Sequence, residues 1–269
     1  MRTILAACGM LIAVSPAAAA EIPRLTRILI VSGGGYHDYP AQRQLLESGL
    51  EARLHVEVSH VFSDPPPDRK TRPAIPAFAD PNYGDGYDLI IHNECAADES
   101  DPKVLDAVLA PHVKGIPAVN LHCAMHSFRS GDWRRPVTPG ADHARWFAFT
   151  GVQSTGHGPQ RPIAVSFTDH PIAKGMAPWT TPDEELYNNL TRFDVTPVAM
   201  GTQPGGDPDA ILAWTHEYGP KRARVFSVTL AHNEGTMADP RYLDLIARGV
   251  AWATGHMDAK GELARAIRR

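Results

Sequence analysis

Thirteen histidines give this chain its chemical character, and their places relative to apolar runs matter more than their number. Gly33-Gly34-Gly35-Tyr36-His37-Asp38 follows one apolar run, and His92-Asn93-Glu94-Cys95 closes a second. His122-Cys123-Ala124-Met125-His126 follows a third, and His232-Asn233-Glu234-Gly235 a fourth. Imidazoles converging with the carboxylates of Glu94 and Glu234 suit two kinds of chemistry. One is the binding of a single divalent metal, zinc or similar; the other is acid–base work on a neutral polar ligand. For the first, the candidate ligands are His37, His122, His232 and Glu94. For the second, His122, His232 and Glu234 are the candidate catalytic groups, with His37, Asp38 and His126 contacting the ligand. His157, within Thr155-Gly156-His157-Gly158-Pro159, lies in a loop able to cover such a site. A single histidine at a strand end is more often a hydrogen-bonded structural residue than a ligand. The conjunction of several is what singles out His37, His122 and His232.

These groups meet only if the apolar runs are strands of one sheet. Residues 27–32, 87–93, 116–121 and 224–230 read as strands, the first a continuous apolar run of the kind buried on both faces. Further strands are expected over 54–62, 163–168 and 210–215, and helices over 40–52, 101–113 and 239–254. Gly255 stops the last helix. Strand and helix alternating at short intervals predict a parallel sheet with helices on both faces. Ligands of such sheets bind outside the carboxyl ends of the strands, where the four histidine segments fall. Gly33-Gly34-Gly35 is not G-x-G-x-x-G and has no acid at the expected offset, and there is no P-loop, so no nucleotide cofactor is expected. The three glycines either bring backbone amides close to a ligand or make a tight turn.

The chain has 269 residues, enough for one α/β domain, and its 43% hydrophobic and 21% charged content exclude a disordered protein. A net charge of −4 argues against nucleic acid and anionic membranes as partners. Residues 1–20 read as a signal peptide: Arg2, an apolar run from Ile4 to Val14, and Ala18-Ala19-Ala20 as a cleavage site. No second long apolar run follows, so a periplasmic or secreted mature chain with no membrane partner is expected. Residues 21–256 form a single domain, and 257–269 a charged, loosely held tail. Cys95 and Cys123 follow neighbouring strands and should lie close; whether they bond depends on loop directions that the sequence leaves open.

Asn120-Leu121-His122-Cys123-Ala124 runs from strand through turn to helix, where some enzymes mount a nucleophile. With Cys123 as nucleophile, His232 as base and Glu234 as orienting acid, the layout resembles the class I glutamine amidotransferases. The chain departs from them in placing His122 at the apex of the turn and in lacking the flanking glycines, so glutaminase activity is not expected. Several stretches, in order over residues 27–254, resemble the ThuA-like (trehalose utilisation) family. They are Ser32-Gly33-Gly34-Gly35-Tyr36-His37-Asp38, Asn120-Leu121-His122-Cys123-Ala124 with Ser127-Phe128, and Asp169-His170-Pro171-Ile172 with Gly175. Asp183-Glu184-Glu185-Leu186-Tyr187, Trp214 to Gly219 and Arg224 to His232 complete the set, with Ala231 where the family usually has glycine. The resemblance implies a flavodoxin-like (class I glutamine amidotransferase-like) three-layer α/β sandwich and a site at His37, His122 and His232. It also implies a small carbohydrate substrate, notably a sugar or 3-keto-glycoside, handled by isomerase, lyase or hydrolase chemistry. A non-catalytic sugar-binding module is the alternative. In the enzyme reading, Trp133, in a loop, is a platform for stacking on a sugar face.

Overall fold

The computed structural model describes residues 24–63, 74–208 and 210–269; the signal-peptide reading falls outside them. Five strands form the parallel heart of a nine-stranded sheet: β1 (Thr26–Gly33), β2 (Val56–Phe62), β3 (Leu89–Glu94), β4 (Ala118–Leu121) and β11 (Ala223–Val228). Their spatial order is β2-β1-β3-β4-β11, with every neighbouring pair parallel. That is the flavodoxin-like order. Along β1 the side chains alternate between two cores, Ile28 and Ile30 on one face and Leu29 and Val31 on the other. Helices α1 (Tyr39–Glu51) and α5 (Pro240–Ala253) cover the first face. Helices α2 (Pro102–Val113) and α3 (Arg145–Thr150) cover the second, completing three layers. Asp38, Asp101 and Asp239 cap α1, α2 and α5, each followed by proline in the first turn.

The second half of the sheet differs from the expected parallel continuation. β6 (Arg161–Phe167), β7 (Trp179–Glu184), β9 (Thr196–Thr202) and β10 (Ala210–Tyr218) extend it beyond β11 as antiparallel neighbours in the order β10-β9-β6-β7. Only four residues join β10 to β11, too few for the crossover that a parallel pair needs. A small separate ribbon pairs β5 (Val152–Gln153) with β8 (Thr191–Arg192). The extension curls strongly. The side-chain amide of Asn233, beyond β11, donates to the carbonyl of Asp183 in β7 at 2.9 Å, although three strands separate β7 from β11 in the sheet. The sheet's last strand therefore returns to the carboxyl edge of its parallel heart.

The tail is not loosely held. Ile267 is fully buried in the core against α5, and its carbonyl accepts from His55 N at 2.9 Å. One apolar anchor and a backbone bridge from Leu54 to Arg268 outweigh the charge of the segment.

His112 and His216 are sealed in the interior. Burial, aided for His112 by the facing His92, pushes their pKa values down from the ordinary 6.5 to about 3 and about 4. A histidine that stays neutral when folded contributes stability above its unfolded value, and that stability is lost as pH falls through 6.5 towards 3–4. At pH 5 each should cost roughly 2 kcal/mol. The unfolding midpoint is therefore expected to drop by about ten degrees between pH 7 and pH 5. Equal midpoints at the two pH values in a thermal melt would contradict this.

Candidate functional site

His37, His122 and His232 meet at the carboxyl edge of the parallel strands. Their ring centroids are 4.9 Å (His37–His122), 5.1 Å (His37–His232) and 5.5 Å (His122–His232) apart, and each pair is edge to face. The local backbone explains how they are aimed. His122 leaves β4 with φ 42° and Ala231 precedes His232 with φ 80°, both in the left-handed region that non-glycine residues rarely enter. His122 thus takes the apex of the strand-to-helix turn. His37 is delivered by the three glycines, which make a tight turn packed on the Cys95 backbone. A Cβ on Gly34 would lie 2.3 Å from the Cys95 carbonyl oxygen.

Hydrogen bonds fix which nitrogen each ring offers. Nδ1–H of His37 donates to the His232 carbonyl at 3.1 Å, and Nδ1–H of His122 to the Thr229 carbonyl at 2.7 Å. A carbonyl only accepts, so both rings present Nε2 as a lone pair. Nδ1 of His232 lies 3.2 Å from Glu185 Oε1, an ion-pair contact without a directed hydrogen bond. Its Nε2 faces the Gln160 amide nitrogen at 2.9 Å. One potential ligand atom from each ring lies within 4.8 Å of the others. Small side-chain rotations would bring three such nitrogens to the roughly 2.0–2.1 Å that zinc requires. Burial and the two neighbouring imidazoles push His37 down to about 3, keeping it neutral at physiological pH. The residues fit a divalent metal: the outer nitrogens are anchored on carbonyls and a carboxylate, as ligating histidines usually are.

Glu185 is the carboxylate of this site, and the sequence reading missed it. Besides His232, it lies 3.5 Å from both His122 and His157. Burial opposes its ionisation. The facing imidazoles of His122, His232 and His157 outweigh burial and hold it well below the usual carboxylate range. Its neighbour Glu184 does different work. Being fully buried, its carboxylate accepts from the amides of Ala231 and His232 at 3.1–3.2 Å and so pins the strained turn. Tyr187 donates its hydroxyl to His122 Nε2 at 3.2 Å; burial, with the nearby Glu185 and Glu184, keeps that hydroxyl protonated. The stretch Asp183 to Tyr187 was already among the family-like segments, and that was the available sign.

Two of the proposed acids lie elsewhere. Glu94 shares a strand face with His92, two residues away, and both point to α2 rather than to the cluster. There His112 Nδ1–H donates to the Ile116 carbonyl at 2.8 Å, so its Nε2 accepts from His92 Nε2–H at 3.0 Å. His92 Nδ1 faces Glu94 Oε1 at 3.0 Å. Glu94 is therefore no ligand of the cluster. Glu234 is carried off by the first turn of α4 (Glu234–Met237) and does not line the cavity. Trp133 also lies outside it, packed beside Val137 and Phe147. His126 and His157 do line the cavity. His126 stacks on Tyr187 at 4.2 Å and bonds Ser154 Oγ at 2.9 Å. Asp38 lines it too, with Oδ1 committed to the Ala41 amide.

Cys95 and Cys123 are joined in a disulfide, with Cα atoms 5.0 Å apart. Cys123 thus offers no free thiol, and the Cys-His-Glu hydrolase arrangement falls away. The disulfide, His37, His232 and Glu185 wall one open cavity of about 1130 Å³, and His122 is bonded to Tyr187, which also lines it.

A family model described as trehalose utilisation matches residues 27–253. A crystal structure described as a ThuA-like protein from Parabacteroides merdae is similar at 18% identity, covering 86% of this chain and 90% of that one with a TM-score of 0.65. A glutamine amidotransferase from Thermotoga maritima aligns at 11% identity over 86% of this chain and 94% of that one, with a TM-score of 0.41. The glutaminase domain of Trypanosoma brucei CTPS aligns at 12% identity over 91% and 100%, with a TM-score of 0.43. No curated protein matches. From Arg27 to Ala253, then, the chain belongs to the ThuA, or trehalose-utilisation, family, on a flavodoxin-like sheet.

Proposed function

We propose that the chain is an exported enzyme acting on a sugar or 3-keto-glycoside, with one divalent metal held by His37, His122 and His232. The observation that carries this reading is the orientation of the rings. Two have Nδ1–H fixed on carbonyls and the third has Nδ1 against Glu185, and one ligand nitrogen from each ring lies within 4.8 Å of the others. When bound, such an ion polarises a carbonyl or hydroxyl as a Lewis acid. The remaining work belongs to the chain. Glu185, ionised and within reach of the cluster, accepts a proton from a carbon next to a carbonyl, or from water. Tyr187 holds His122, and His126 and His157 stand at the wall where a sugar ring would lie. The family's description supports a carbohydrate substrate. The leader-like residues 1–20 and the disulfide support export to an oxidising compartment.

Assay of the full chain on 3-keto-glycosides, with and without a chelator, tests this. Turnover that the chelator abolishes and added zinc restores is expected. Turnover indifferent to chelation, or none on any keto-sugar or sugar offered, would overturn it.

A further inference from the structure

The cavity holds a guanidinium with which no carboxylate among the described residues forms an ion pair. Arg129 follows Phe128, whose φ of 51° is held by its amide bonding the Ala96 carbonyl at 2.9 Å. This turn sets Arg129 in the wall of the cavity that holds the histidines. Its guanidinium lies 4.2 Å from the ring of Trp133, so the tryptophan is a platform for the arginine rather than for a sugar. Nε is covered and has no partner. Among the described residues no carboxylate comes within ion-pair distance of Arg129, and its terminal nitrogens make no hydrogen bond yet are not buried. Burial lowers its pKa and nearby Tyr36 and Asp98 oppose the shift; an arginine remains charged throughout the physiological range.

A half-covered cation without a partner is costly, and a planar fork of donors matches a carboxylate. The acids that line the cavity are otherwise engaged, Asp38 with the Ala41 amide and Glu185 with three imidazoles. Arg129 stands within electrostatic reach of His126 and Tyr187, and Tyr187 bonds His122. A ligand at the cluster can therefore extend to it.

We infer that the ligand of this cavity is a sugar acid, its carboxylate bound by Arg129 while the sugar ring lies at the imidazole cluster. The inference rests on the reading of the cluster as a sugar site, but the arginine acts whether or not a metal is bound. Calorimetric titration of the full chain, metal-free and zinc-loaded, would compare glucuronate, methyl glucoside, trehalose and glucose 6-phosphate. Glucuronate should bind tenfold or more tighter than either neutral sugar, on the order expected for a charge-assisted pair. Arg129→Met should erase that preference without lowering the unfolding midpoint, and Arg129→Lys should keep part of it. No preference for glucuronate, a preference that survives Arg129→Met, or tighter binding of glucose 6-phosphate would each overturn the inference. A glucuronate preference in protein that binds no zinc would support it and overturn only the metal reading.

Discussion

His122→Ala is expected to weaken zinc binding on the order of a thousandfold, about a third of the binding energy of a tight zinc centre. It should also abolish turnover. His122 is the most enclosed member of the cluster, at 2% exposure, and its ring is held from both sides by the Thr229 carbonyl and the Tyr187 hydroxyl. The same contacts predict a modest stability loss of about 1–2 kcal/mol, because the tyrosine hydroxyl loses its acceptor. Backbone strain complicates the comparison, since alanine at φ 42° is no more comfortable than histidine. His122→Asn separates the effects, because asparagine tolerates the left-handed region. If His122→Asn folds like the parent and keeps both zinc and turnover, His122 has no role in the site. Zinc titration and a thermal melt of both variants decide it.

Glu185→Gln should lower zinc affinity by about tenfold to a hundredfold, as loss of a partner to ligating histidines does, and turnover by a further hundredfold or more. The glutamine keeps the shape but surrenders the charge facing His122, His157 and His232. Glu184→Gln provides the contrast. That carboxylate accepts the backbone amides of Ala231 and His232 and forms no ion pair with an imidazole among the described residues, so its loss should reduce stability while zinc affinity changes less. Equal zinc affinity in Glu185→Gln and the parent would contradict the placement of Glu185 beside the metal. Indistinguishable turnover would contradict its role as base.

What could be read from the sequence follows the range of the signal. Continuous apolar runs and Asp-Pro helix starts locate β1, β3, β4, α2 and α5 to within about two residues, because burial on both faces and capping are local chemistry. The strand-end rule then gathers His37, His122 and His232, since a parallel sheet aligns its carboxyl ends whatever the loops do. Glu185 could not be placed in this way. It reaches the site because an antiparallel extension curls through three intervening strands, a property of accumulated twist rather than of any one segment. Glu94 was misplaced by one geometric detail. It belongs to the strand itself, where alternation sends it to the α2 face, whereas the residues that reach the cavity lie in the turns beyond the strands. Glu234 was misplaced by the turn of α4. The packed tail depends on Ile267 finding a long-range pocket that its charged surroundings do not announce.

The most direct test of the central reading is the zinc content of the purified full chain, dialysed against dilute zinc and then against metal-free buffer. One tightly held zinc per chain is predicted, absent from protein in which His37, His122 and His232 are all replaced by alanine. A parent chain that retains no more zinc than the triple variant would contradict the assignment of the three imidazoles as a metal centre.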